Sequence, residues 1–198
     1  MKRSLYGSAL ALALLAAPAL SQTDSSEVDS ELRNPRKWAL SAEVGVNSLS
    51  SAIGPVATFY VKPQIAVDLG LGLSSVGLRP GFRARYAFSR EKTAYFAGAG
   101  LKYGMGTNGK DIEVEDPETK EKVKLQIEAG TFLDLMVGVE FMAHNGFLVI
   151  GTAGYSTLLG DKLYTVSDGP APSEDAIKVF DLVFGSGITL SVSLGKAF

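Results

Sequence analysis

The residues of this chain able to do chemistry are ionised side chains on an every-second-residue spacing. Arg79, Arg83 and Arg85 share one parity, and Glu43, Asp68, Lys102, Asp134 and Glu140 likewise each stand between two apolar neighbours. Glu128 and Asp181 belong to the same pattern. Charges in such positions can line a path for ions, or they can neutralise one another as a salt-bridged filling. A lone buried carboxylate or guanidinium is very costly, so the near balance of signs favours the filling. Signals for catalysis are poor. The single histidine, His144, precedes Asn145-Gly146 and reads as part of a turn. A serine nucleophile needs a base and an orienting acid within reach, and no such set is present. With no cysteine there is neither a disulfide nor a thiolate metal site. No cofactor or metal is expected, and the chain is read as non-enzymatic.

Strands must position these charges, because the dominant period from Trp38 onward is two. Trp38, Leu40, Ala42, Val44 and Val46 share a face, as do Ala57, Phe59 and Val61, and then Ile65, Val67, Leu69, Leu71 and Leu73. A fourth strand sets Leu78, Phe82, Ala84, Tyr86 and Phe88 against the arginines. A fifth carries Tyr95, Ala97, Ala99, Leu101 and Tyr103, and a sixth Leu133, Leu135, Val137, Val139 and Phe141. The seventh offers Phe147, Val149, Ala153 and Tyr155. The eighth is read from Phe180 through Leu182, Phe184, Ile188, Leu190, Val192 and Leu194 to Phe198. Tight turns fall at 62–63, 89–92 and 144–146. On the other side 48–51 and 74–75 are short, while 104–124 and 156–177 are long. Short turns at one end and longer loops at the other are the asymmetry of an outer-membrane barrel.

The N-terminus reads as a secretory signal at 1–21. Lys2 and Arg3 precede the apolar run 9–20, which is too short to span a bilayer as a helix, and Ala19-Leu20-Ser21 supplies small residues for cleavage. Residues 22–36 form a polar, acidic leader too poor in apolar residues to fold, and 37–198 the barrel. The formal net charge is -2, which argues against a nucleic-acid surface.

Alternation alone does not say which face looks inward. A soluble lipocalin-like carrier would hide the apolar face. Here the charged face is otherwise dominated by Gly, Ala, Ser and Thr, which suits a crowded lumen. Aromatics gather near strand ends, with Trp38, Phe88, Tyr95, Phe141, Phe147 and Phe198 at the turn side and Tyr103, Tyr155 and Phe180 at the loop side, as in interfacial girdles. Pro55 and Pro80 both fall near the loop ends of their strands, where a missing ladder donor is tolerable.

The last strand alternates to a final aromatic, Phe198. Over 38–198 the chain resembles the small eight-stranded outer-membrane β-barrel proteins of bacteria. That resemblance implies an all-β, antiparallel, up-and-down transmembrane barrel with both termini periplasmic. It also implies an assembly machinery that reads Phe198. Lys196 departs from the family pattern, which prefers an apolar or aromatic residue there; near the interface it can snorkel.

Two loops have more to say. Over 111–128, opposite charges face each other if a tight turn covers 116–119: Glu115 with Lys120, Glu113 with Lys122 and Asp111 with Lys124. That predicts a hairpin continuing strands five and six beyond the membrane, with a bulge in 105–109. Loop 156–177, with Gly169-Pro170-Ala171-Pro172, reads as mobile. Loops 104–124 and 156–177 are where an external ligand is expected. The eight lumen candidates divide by height into Glu43, Asp68, Arg83, Arg85 and Glu140 below, and Arg79, Lys102 and Asp134 above. The expectation is a non-enzymatic protein of the bacterial outer membrane, in contact with its lipid, structural or binding through its loops. A narrow channel and a soluble carrier are the alternatives.

Overall fold

The computed structural model describes residues 36–74, 77–107, 109–116, 118–160, 163–169 and 171–198. The signal segment and, except for Arg36, the leader lie outside them. Eight long strands close into one antiparallel barrel. They are β1 (Trp38–Ser48), β2 (Ser51–Lys62), β3 (Ile65–Ser74), β4 (Gly77–Ala87), β5 (Thr93–Gly104), β8 (Gly130–Met142), β9 (Phe147–Leu159) and β11 (Gly187–Ala197). Around the barrel the order is β1-β11-β9-β8-β5-β4-β3-β2. Closure leaves no open edge in this sheet, so every strand has a ladder partner on both sides.

The alternation resolves in one sense only. Val46, Val61 and Leu73 are each more than 60 % exposed, and apolar side chains face outward around the circumference. The intervening glycines, hydroxyl residues and charges face the lumen. Both prolines sit where pairing lapses on one side of their strand. The β2–β3 ladder skips Gly54 and Pro55, and the β4–β5 ladder begins at Gly81, just past Pro80. The turn end of the lumen is filled with apolar side chains, among them Phe96, Met142, Leu148 and Ile150, all almost wholly buried.

At the other end the first turn folds inward, which its sequence did not announce. Asn47 and Ser51 take positive φ (49° and 63°), and residues 48–51 are buried. Leu49 enters a slot cut by glycines: a methyl added to Gly70 would lie 2.7 Å from its Cγ, and one on Gly81 2.8 Å from its Cδ1. On Gly72 it would lie 1.6 Å from the Ser50 carbonyl oxygen. The Lys102 ammonium donates to the Asn47 carbonyl, and the Thr189 hydroxyl does so at 3.1 Å.

The loop end departs most from the sequence expectations. Strands five and six do not run on. The chain breaks at 105–110, and β6 (Asp111–Glu115) and β7 (Lys122–Ile127) form a separate sheet in which β10 (Tyr164–Asp168) is the third strand. Their register is two residues away from the expected one, with Glu115 opposite Lys122 and Glu113 opposite Lys124. The cause is the turn: the Asp116 carboxylate accepts the N–H groups of Glu118 and Thr119, and the 116–121 loop is wider than a tight turn. Two expected ion pairs survive, Lys122–Glu113 at 3.0 Å and Lys120–Glu115 at 3.9 Å, but Lys124 pairs with Asp168 instead of Asp111. Glu128 lies between β7 and β8, exposed, not in the lumen.

The eighth strand starts at Gly187, not at Phe180. Residues Glu174–Phe184 are a helix, α1. The Ser173 hydroxyl caps it by accepting the Ala176 N–H at 3.1 Å, and Glu174 and Asp175 suit its positive N-terminal end. Asp181, expected on a strand, therefore belongs to a helix. Phe180 leaves the outer girdle for the core of this cap, edge-on to Tyr164 at 5.7 Å and packed with Val123, Leu125, Ile127 and Ala176. The segment read as mobile thus carries a strand and the start of a helix.

Gly72→Ala is expected to destabilise the barrel by about 1–3 kcal/mol, because backbone must move to admit the methyl. Gly151→Ala, whose methyl would meet only Val139 Cγ1 at 3.6 Å, should change stability by less than about 0.5 kcal/mol. Urea unfolding midpoints in lipid vesicles compare the two.

Candidate functional site

The structure brings all eight lumen candidates into the barrel, and none is more than 4 % exposed. Four are acids and four are bases. They are positioned by simple strand geometry: Asp68 and Arg83 are directly opposite on β3 and β4, with Arg85 two residues further along the same face. Asp68 is the centre of the lower group. Its carboxylate takes the Nε of Arg83, the Nε of Arg85 at 2.7 Å, Arg85 Nη2 at 3.0 Å and the Thr58 hydroxyl at 2.7 Å. Arg83 then reaches Glu43 at 3.0 Å, and Arg85 reaches Glu140 at 2.6 Å. These contacts tie β1, β2, β3, β4 and β8 to one another through the lumen.

The upper group is looser. Lys102 pairs with Asp134 at 3.0 Å. Arg79 lies over the Phe132 ring, 4.7 Å from its centroid, and its Nε finds no hydrogen-bond partner among the described residues. The inward turn joins the two groups. Ser50 donates to Glu43 from its N–H at 3.0 Å and its hydroxyl at 3.1 Å, while Lys102 holds the Asn47 carbonyl from the other side.

Several contributors escaped the sequence reading. Thr58 and Tyr60 support Asp68 and Glu140 (the Tyr60 hydroxyl at 3.4 Å), and both lie on the inward parity of β2, where the pattern could have found them. Ser193 donates to Glu43 at 3.2 Å. Phe96 lies under Arg85, its centroid 4.9 Å from the guanidinium carbon. The turn's inward fold left one trace, the glycines at 70, 72 and 81 on facing strands. His144 stands in the turn between β8 and β9, at the end away from the cap.

The fold is similar to that of the N-terminal β-barrel domain of Pseudomonas aeruginosa OprF. That match has a TM-score of 0.50 at 12% identity and covers 82% of this chain and 98% of that one. Acinetobacter baumannii CarO also matches, with a TM-score of 0.34, 12% identity, and coverage of 81% and 97%. No protein-family model and no curated protein matches the sequence.

The cap has a site of its own making, a clasp between Asp116 and Ser173. One carboxylate oxygen accepts the Ser173 N–H at 2.8 Å, and the other accepts its hydroxyl at 2.9 Å. The clasp thereby fastens the β6–β7 turn to the N-terminus of α1. The Ser173 N–H, with those of Glu118 and Thr119 and the Ser173 hydroxyl, lowers the Asp116 pKa to about 2.

Two outcomes follow. Arg83→Met leaves Glu43 and part of Asp68 uncompensated and should cost about 3–5 kcal/mol. Adding Glu43→Met should cost at least about 1 kcal/mol less than the two single changes predict together, measured by a double-mutant cycle of urea unfolding. Strict additivity would dissolve the network. For the clasp, a depressed carboxylate stabilises fully above its ordinary pKa of 3.8 and loses that contribution as pH falls through about 2. Hydrogen-exchange protection at the Ala176 amide, corrected for intrinsic rates, should therefore fall between pH 4 and pH 2. Asp116→Asn should be weakly protected across the range, and identical profiles in the two proteins would refute the clasp.

Proposed function

We propose that the chain is an integral protein of the bacterial outer membrane whose barrel is a closed anchor and whose folded cap meets the exterior. One observation supports this most directly: the lumen is occluded at successive heights while the outside is apolar. Apolar side chains fill the turn end, ion pairs fill the middle, and the Leu49 turn fills the loop end. A pore needs a continuous wet path, and a carrier needs a cavity and a polar exterior; neither description suits this barrel. On this reading the turn side and both termini face the periplasm, the assembly machinery reads the strand ending at Phe198, and binding belongs to the sheet of β6, β7 and β10 with α1. Its own small core makes that sheet a folded presenting surface.

The purified protein should migrate differently before and after boiling, stay with membranes through carbonate washing, and give no unit steps in planar bilayers. Reproducible conductance steps would overturn the closed-anchor reading. Release by carbonate would overturn membrane insertion.

A further inference from the structure

Lys196, the misfit of the last strand, is not alone. Residues Arg36, Lys37, Lys62, Arg90, Lys92 and Lys196 all stand at the turn end, with Glu91 the one acidic side chain outside the lumen there among the described residues. At the loop end the balance reverses, since carboxylates outnumber lysines in both 105–129 and 160–186. The basic excess therefore belongs to one rim. We propose that this rim is a binding annulus for the headgroups of anionic phospholipids, an inference that rests on the membrane-inserted reading above.

Height is the first argument. The Lys92 ammonium lies 5.1 Å from the Phe141 ring centroid and the Lys196 ammonium 5.8 Å from that of Phe198. Phe198 in turn stacks on Trp38 at 4.5 Å. Aromatic side chains at strand ends mark the depth of the headgroup region, so these ammoniums sit level with phosphates. Lys196 is exposed on the outward face, opposite Leu40 on one side and Phe147 on the other. Its charge has no place in hydrocarbon, and its stem is long enough to carry it to the interface.

Distribution is the second. The cations attach to the start of β1, the β2–β3 turn, the β4–β5 turn and the end of β11, three of the four strand pairs at this end; the β8–β9 turn carries none of its own, and Arg36 reaches it by donating to the His144 carbonyl. A protein partner would need a contiguous patch of about 800 Å² on one flank. Lipid meets the whole circumference, and cations so distributed answer it.

The chain carries its own reporter, because Trp38 is its only tryptophan and it sits in this rim, 42 % exposed. The full-length protein is inserted into vesicles of mixed phosphatidylcholine and phosphatidylglycerol, with one or the other brominated near the headgroup end of its acyl chains. At low salt, brominated phosphatidylglycerol should quench Trp38 as though enriched about two- to five-fold over its bulk fraction. Half-molar salt should remove most of that preference. Lys37→Gln with Lys196→Gln should reduce it, while Lys124→Gln on the cap should leave it unchanged. If the double variant fails to insert, the salt series on the unaltered chain decides. Equal quenching by the two brominated lipids would overturn the annulus, as would a preference indifferent to both salt and the rim substitutions. Absence of quenching by either lipid would instead sink the membrane-inserted reading on which it rests.

Discussion

A charge that points into an eight-stranded barrel has neither bulk water nor headgroups to answer it, and the whole interior is organised by that constraint. Eight strands leave a lumen just wide enough for side chains to fill, so neutralisation must come from another strand. Asp68 answers Arg83 and Arg85, which answer Glu43 and Glu140, and the contacts run through β1, β3, β4 and β8. Such a network contributes little net stability over a well-packed apolar filling. What it supplies is register. A one-residue slip of β3 against β4 would turn Asp68 outward and strip Arg83 and Arg85 of the carboxylate they share, leaving two buried guanidinium groups with one carboxylate each. The outer face, nearly uniform in its apolar residues, offers no comparable discrimination.

The same constraint explains what could be read from the residues in order. Seven of the eight strands were legible, because charge on one parity and apolar residues on the other can coexist only on a two-sided wall. So were the eight lumen residues, and their division by height agrees with the two groups of ion pairs. The loop end was less legible because two periods compete there. Phe180, Leu182 and Phe184 alternate as a strand would, yet Ala176 and Phe180 are four apart, and Ser173 with Glu174 and Asp175 is a helix start. A local cap outweighed a short alternation. In the β6–β7 hairpin, charge complementarity tolerates a shift of two residues, since it preserves parity and still sets Glu115 opposite Lys122 and Glu113 opposite Lys124. The Asp116 turn settled what the charges could not.

The inward turn was hidden for a different reason. Nothing in the serines and Leu49 of residues 48–51 distinguishes a turn that points out from one that points in. The information lies on other strands, as missing side chains at Gly70, Gly72 and Gly81. A slot is written as absence, and absence at three separated positions becomes a pattern only once β3 and β4 are paired and facing β1.

The two ends of the molecule are then held by different physics. The barrel is fixed by ladder closure and by charges that have nowhere else to go. The cap is fixed by a small apolar core and by Asp116, whose four hydrogen bonds replace a longer-range scaffold. The cap chain enters and leaves the barrel at β5, β8, β9 and β11, while the Glu43–Arg83–Asp68 contacts lie on β1, β3 and β4. Sequence change in the cap therefore leaves the Glu43–Arg83–Asp68 contacts in place. Change in that network, by contrast, reaches the inward turn through Glu43 and Ser50. Substitution should therefore cost less in the cap than inside the lumen, which is the division of labour that the proposed closed anchor with an exposed cap requires.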